Sequence, residues 1–117
     1  MKSDNIIQIK SYEFALRIIK VYKFLSQEKK EFVLSKQLLR SGTSIGANIE
    51  ESIGGHSKAD FYAKITIAYK EARESKYWIR LLRDSDYLTI EESEGLLKDV
   101  DELLKIIGSI QKTIRNL

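Results

Sequence analysis

Six residues in the middle of the chain could hold an anion. Tyr62, Tyr69, Arg73, Lys76, Arg80 and Arg83 follow one another at spacings of seven, four, three, four and three, the repeat of a single helix face. Four cations behind two tyrosines could grip phosphates and stack a base. A solvated face, or one paired with the later acids Asp99, Asp101 and Glu102, would carry the same pattern. No RNA-binding module of the RRM or KH type accompanies it.

A second row is polar and uncharged at its centre. Gln37, Ser41, Ser44, Asn48 and Glu51 repeat at 4-3-4-3. Ser and Asn are mediocre helix formers, and Gly42 and Gly46 each cost about 1 kcal/mol relative to Ala inside a helix. A helix that accepts these penalties gains close packing or polar contacts in return. A partly buried network and a ligand or partner site both fit. A third row, Ala63, Ile67, Trp78 and Leu81, is apolar, with Glu71 and Glu74 set within it. It implies a wide core or an interface with another subunit. The two acids need polar partners if buried, and Arg40, Ser44 and Asn48 are the candidates.

Catalytic chemistry is poorly supplied. The chain has one histidine, His56, and no cysteine, which removes disulfides and zinc–thiolate sites. Carboxylate-bridged di-metal bundles need Glu-x-x-His on two helices, whereas Glu71-x-x-Glu74 has no histidine nearby. Neither a G-x-S-x-G elbow nor a phosphate-cradling glycine loop occurs. A non-enzymatic protein without cofactor or metal is expected.

The elements that must position these rows read clearly. With 117 residues and 43% hydrophobic content the chain makes one domain. Zero prolines favour helix throughout. Ser11 is a candidate cap for a first helix to about residue 26, with Phe14, Ile18, Val21 and Leu25 on one face. Residues 1–10, which carry no cap, are expected to form a loose N-terminal arm before a bundle domain at 11–117. Gln27 to Lys30 reads as a solvated turn. Ser35 is expected to cap a second helix reaching Ile53, with Leu38, Gly42, Ile45 and Ile49 inward, ended by Gly54-Gly55 in the left-handed conformation. Ser57-x-x-Asp60 resembles a capping box and opens a third helix to about Asp84. Its core line is Phe61, Ile65, Ala68, Ala72, Ser75, Ile79 and Leu82. Thr89-x-x-Glu92 opens the fourth, whose seam is expected at Leu97, Val100, Leu104, Ile107 and Ile114, with Leu96, Leu103, Ile110 and Leu117 beside it. Short connections make neighbours antiparallel. The fold class is therefore all-α, an up-down-up-down four-helix bundle.

Charge is distributed unevenly. Residues 1–56 carry nine Lys/Arg and six Asp/Glu, residues 57–83 seven and three, and residues 84–117 four and eight. A net charge of +3 alone is too small to imply nucleic acid. No apolar run approaches a membrane span, and Met1 to Asn5 precede no signal-type apolar region, so a cytoplasmic chain without membrane association is expected.

The segment Gln37 to Glu51 contains Gln37, Arg40 and Ser44-Ile45-x-x-Asn48-Ile49-x-Glu51, and later come Ala59-Asp60-Phe61 and Glu74-x-x-Tyr77-Trp78-Ile79. Over about residues 8–115 the chain resembles the family of small four-helix-bundle proteins encoded in intervening sequences of bacterial 23S rRNA genes. That family is in turn similar to the accessory bundle protein of diversity-generating retroelements, a basic pentameric barrel that works with a reverse transcriptase and nucleic acid. The resemblance places Arg40, Ser44, Asn48, Glu51 and Glu74 at family motif positions and implies no catalytic role for them. Together with the apolar row it implies a homo-oligomer, a pentamer, for which that row makes Ile67, Trp78 and Leu81 the interface candidates. It also implies RNA, DNA or a nucleoprotein as partner, for which the basic row Arg73, Lys76, Arg80 and Arg83 with Tyr62 and Tyr69, read from its own spacing, supplies the candidate contacts. A purely protein-binding structural module is the alternative.

Overall fold

A computed structural model describes residues 2–117, with side chains from Ile6 onward. Its helices are α1 Lys2–Gln27, α2 Leu34–Ile53, α3 Lys58–Asp84 and α4 Ile90–Arg115. Each packs on the next in chain order, and α4 returns to α1, where the seam is lightest. The result is the up-down-up-down bundle, 46 × 21 × 18 Å. No described helix is long and apolar enough to cross a membrane.

Each helix buries one heptad-like line. On α3 it is Ile65, Ala68, Ala72, Ser75, Ile79 and Leu82, with Phe61 half-buried at its start. On α2, Leu38, Gly42, Ile45 and Ile49 are all buried. The small residue at 42 sets how closely α1 and α2 approach. A Cβ there would stand 2.9 Å from a γ-carbon of Ile18, a fully buried, β-branched side chain.

Several local expectations are corrected. Met1 lies outside the described residues, but from Lys2 onward the expected loose arm is helical. Ile7 and Ser11 are buried and continue the Phe14, Ile18, Leu25 line backwards at the same spacing. Burial along that stripe holds the segment in helix. Ser11 is thus no cap, and its hydroxyl donates to the Gln8 carbonyl within the helix. Ser35 is likewise inside α2. The N-cap is Val33, without a side-chain bond of its own, and the orphan N–H groups are taken by Glu31. Nor do the glycines at 54 and 55 turn left-handed: Gly54 has φ −85°. Positive φ occurs instead at Lys30 and Asp86, in the other two connections. On α4 the buried line is Leu96, Val100, Leu103, Ile107 and Ile110, whereas Leu97, Leu104 and Ile114 are half-buried at its flank. The helix is rotated from the expected seam, because both lines are apolar and packing against α3 and α1 chooses between them. Thr89 caps as expected, whereas at Ser57 only one half of the expected box forms, with no return bond to the Asp60 carboxylate. Ser57 Oγ accepts from Asp60 N–H, and Thr89 and Glu92 make a reciprocal capping box.

Candidate nucleic-acid interface

The α3–α4 face carries an open groove of about 440 Å³ lined by Tyr69, Arg73, Lys76, Tyr77, Arg80 and Leu104. Helix α3 supplies five of these because residues three, four, seven and eight apart share a face. Tyr69 leans against α4 at Gly108, where a Cβ would meet its ring at an ordinary 3.7 Å. The cations differ in state. Lys76 pairs with Asp101 of α4 at 2.8 Å. Arg83 is held by its neighbour Asp84, at 2.7 and 3.1 Å; that hydrogen bonding raises the Arg83 pKa and lowers that of Asp84. Among the described residues, Arg73 and Arg80 enter no ion pair. The acids expected to neutralise the stripe are partly committed elsewhere: Asp99 pairs with Arg17 and Glu102 with Lys10, both on α1.

The six expected contact residues therefore do not form one site. Tyr69, Arg73, Lys76 and Arg80 come together. Arg83 lies beyond the groove, bound to Asp84. Tyr62 stands about 10 Å further along α3 from Tyr69, in an apolar patch at the bundle end with Lys58, Ala59, Ile114 and Arg115. Tyr77 was missed. It is 51% exposed and shares the face of Arg73 and Arg80, four residues after one and three before the other, a spacing visible in the sequence.

The motif residues of α2 separate into three groups. Arg40 reaches α3, where it pairs with Glu71 at 3.2 Å and also with Glu74. Trp78 donates its indole N–H to Glu74 at 2.9 Å. Asn48 turns inward on its own helix, donating to the Ser44 carbonyl at 2.9 Å. Glu51 pairs with Lys64 at 3.1 Å. Of the three candidate partners for Glu71 and Glu74, the structure thus places only Arg40 on them. Ser41 meets Ser75 across the buried α2–α3 contact at 2.9 Å, and the Ser75 hydroxyl also lies 2.8 Å from the Glu71 carbonyl. Small hydroxyls satisfy each other there and let the backbones close. Of the apolar strip, Ile67 is 39% exposed, and Trp78 and Leu81 are half-buried. Helix α1 has an outward apolar row of its own, Ile9, Tyr12 and Leu16, all exposed. His56 is exposed in the α2–α3 connection.

Fold and surface together define a small all-helical bundle with a cation-lined groove between its last two helices and a charged network between its middle two. Residues 3–109 match the 23S rRNA-intervening sequence protein family, and the chain belongs to that family. A solved structure from Bacteroides thetaiotaomicron, described as a protein with unknown function from the S23 ribosomal protein family, is 53% identical. It aligns over 94% of this chain and 98% of its own, with a TM-score of 0.93. No curated protein matches the sequence.

Proposed function

We propose that this protein is a non-enzymatic, homo-oligomeric scaffold of the cytoplasm that holds nucleic acid, or the nucleic-acid part of a ribonucleoprotein, against the α3–α4 groove. The observation that carries the reading is the pair of exposed guanidiniums, Arg73 and Arg80, on one helix face with Tyr69 and Tyr77 interleaved. Such a site binds phosphates electrostatically and with little sequence preference. Each phosphate contact to a single strand contributes about −0.7 to the slope of log affinity against log salt. Repetition of the groove around an oligomer raises avidity through effective concentration.

The oligomeric part of the reading is supported by two separate apolar surfaces, Ile67 with Trp78 and Leu81 on α3, and Ile9, Tyr12 and Leu16 on α1. Two different patches on one subunit suit a head-to-tail ring, and the family resemblance makes five the expected number. Light scattering should return about five times the 13.5 kDa chain mass, and a concentration-independent monomer would refute it.

Fluorescence anisotropy with a labelled single-stranded RNA, across a salt series, tests the function. Wild type should bind at low salt and weaken steeply toward physiological salt. The Arg73→Glu/Arg80→Glu variant should lose most of the affinity and flatten the slope while its unfolding midpoint stays unchanged. Absence of binding at low salt would transfer the assignment to a protein-binding module.

A further inference from the structure

Tyr77 is a large aromatic side chain left 51% exposed in a cation-lined groove. Arg73 and Arg80 flank it on the same face, about 10 Å apart along the helix axis. Its ring is not loosely placed. Trp78 meets it edge-on, with centroids 5.1 Å apart and planes at 69°, a favoured aromatic geometry. Trp78 is itself anchored through its N–H to Glu74, and Glu74 is held by Arg40 of α2. A chain of contacts thus runs from the motif of helix α2 through the bundle to the groove: Arg40, Glu74, Trp78, Tyr77.

We infer that Tyr77 is a stacking platform for an unpaired base of a single strand, with Arg73 and Arg80 as phosphate anchors on either side and Arg40, Glu74 and Trp78 as positioning residues. The inference rests on the nucleic-acid reading above and narrows it. Every base has a π-face, so stacking adds affinity without sequence preference. In a duplex those faces are already occupied, and an exposed ring finds no base to cover. A single strand is therefore the ligand class that uses both kinds of residue in the groove. The arrangement also gives the helix-two motif a role at a distance, through the orientation of a ring it never touches.

The chain has a single tryptophan, so Trp78 fluorescence reports directly on a base arriving at Tyr77. The full-length protein is titrated with a single-stranded RNA, an abasic sugar–phosphate strand of equal length, and a duplex, with affinities from anisotropy. The base-bearing strand should bind about 5- to 150-fold more tightly than the abasic one, the range of one stacked base, and should alone change Trp78 emission. Tyr77→Ala should abolish that preference while leaving abasic binding and the salt slope unaltered, and Tyr77→Phe should retain it. Arg40→Ala should reduce the preference, and Arg40→Lys should restore part of it. Because Tyr77 is half-exposed, the urea midpoint of Tyr77→Ala should stay near wild type. Equal wild-type affinity for base-bearing and abasic strands, or a preference surviving in Tyr77→Ala, would overturn the stacking role while leaving an electrostatic groove. Failure to bind any strand at low salt would overturn both readings.

Discussion

Replacing Glu31 by Ala should be among the most damaging single changes outside the apolar core. Glu31 is 8% exposed and sits just before α2, where four N–H groups lack helical partners. Its carboxylate accepts from the backbone N–H groups of Val33 and Leu34 at 3.0 Å each and of Ser35 at 2.7 Å. Water can replace it at Val33, which is 71% exposed, but not at Ser35, which is 1% exposed. Loss of a cap costs about 0.5–2 kcal/mol, and a buried donor left without its charged acceptor costs about 1–3 kcal/mol. The two costs overlap, so the expected loss is about 2–3 kcal/mol. At roughly 4 °C per kcal/mol for a domain of this size, the melting temperature should fall by about 8–12 °C. The pH dependence supplies the sharper test. Burial pushes the Glu31 carboxyl up, but the N–H groups of Ser35, Leu34 and Val33, with the Ser35 hydroxyl, outweigh it and hold the pKa below its ordinary value. A depressed carboxyl contributes stability that is complete above the unfolded pKa, near 4.5, and is lost as pH falls through the folded value. Urea unfolding of wild type and Glu31→Ala should therefore show a full gap at pH 7 that narrows below about pH 4. Glu31→Gln, which keeps one acceptor oxygen, should fall between them. A gap that is under about 0.5 kcal/mol at pH 7, at the low edge of a cap's worth, or one equally large at pH 3, would refute the capping argument.

Two glycines four residues apart should respond with opposite sign. Gly42→Ala drives a Cβ against the stiff, buried Ile18 and should destabilise by about 1 kcal/mol, overpacking exceeding the gain in helix propensity. At Gly46 the nearest atom to an added Cβ is the Ser11 carbonyl oxygen at 3.4 Å, so Gly46→Ala should stabilise by up to about 1 kcal/mol; chemical denaturation of both variants checks the pair. Asn48→Leu should change stability by no more than about 0.5 kcal/mol, because its amide bonds only the Ser44 carbonyl of its own helix. Glu74→Leu should cost about 1 kcal/mol by leaving the Trp78 N–H without its acceptor and Arg40 with Glu71 alone. If Asn48→Leu proved the costlier of the two, the assignment of Glu74 to Arg40 would be wrong.

The four helices were legible because each has a line of apolar or small residues at 4-3 spacing and because two of the starts, Ser57 and Thr89, carry local capping chemistry. The α2 start was not, since its acceptor, Glu31, follows what reads as a solvated turn, Gln27 to Lys30, and acts only once the chain reverses at Lys30. Residues 2–10 were misread for a related reason: they hold no local helix signal, and only the formed bundle gives Ile7 and Ser11 somewhere to be buried, Ser11 beside Gly46 of α2. On the candidate site, the charged and aromatic content of the α3 face was present in the spacing, Tyr77 included. Which cations remain unpaired was not. Asp99, Asp101 and Glu102 are close together in sequence, yet Asp99 and Glu102 turn to α1 and Asp101 to Lys76. Periodicity specifies which face of a helix is buried but says little about its rotation to within one residue, as the displaced α4 seam shows. Rotation depends on how closely neighbours approach, which between α1 and α2 is set at Gly42 against Ile18 and between α2 and α3 at Ser41 against Ser75. It is the rotation that selects which acid reaches which base, and so leaves Arg73 and Arg80 exposed to a ligand.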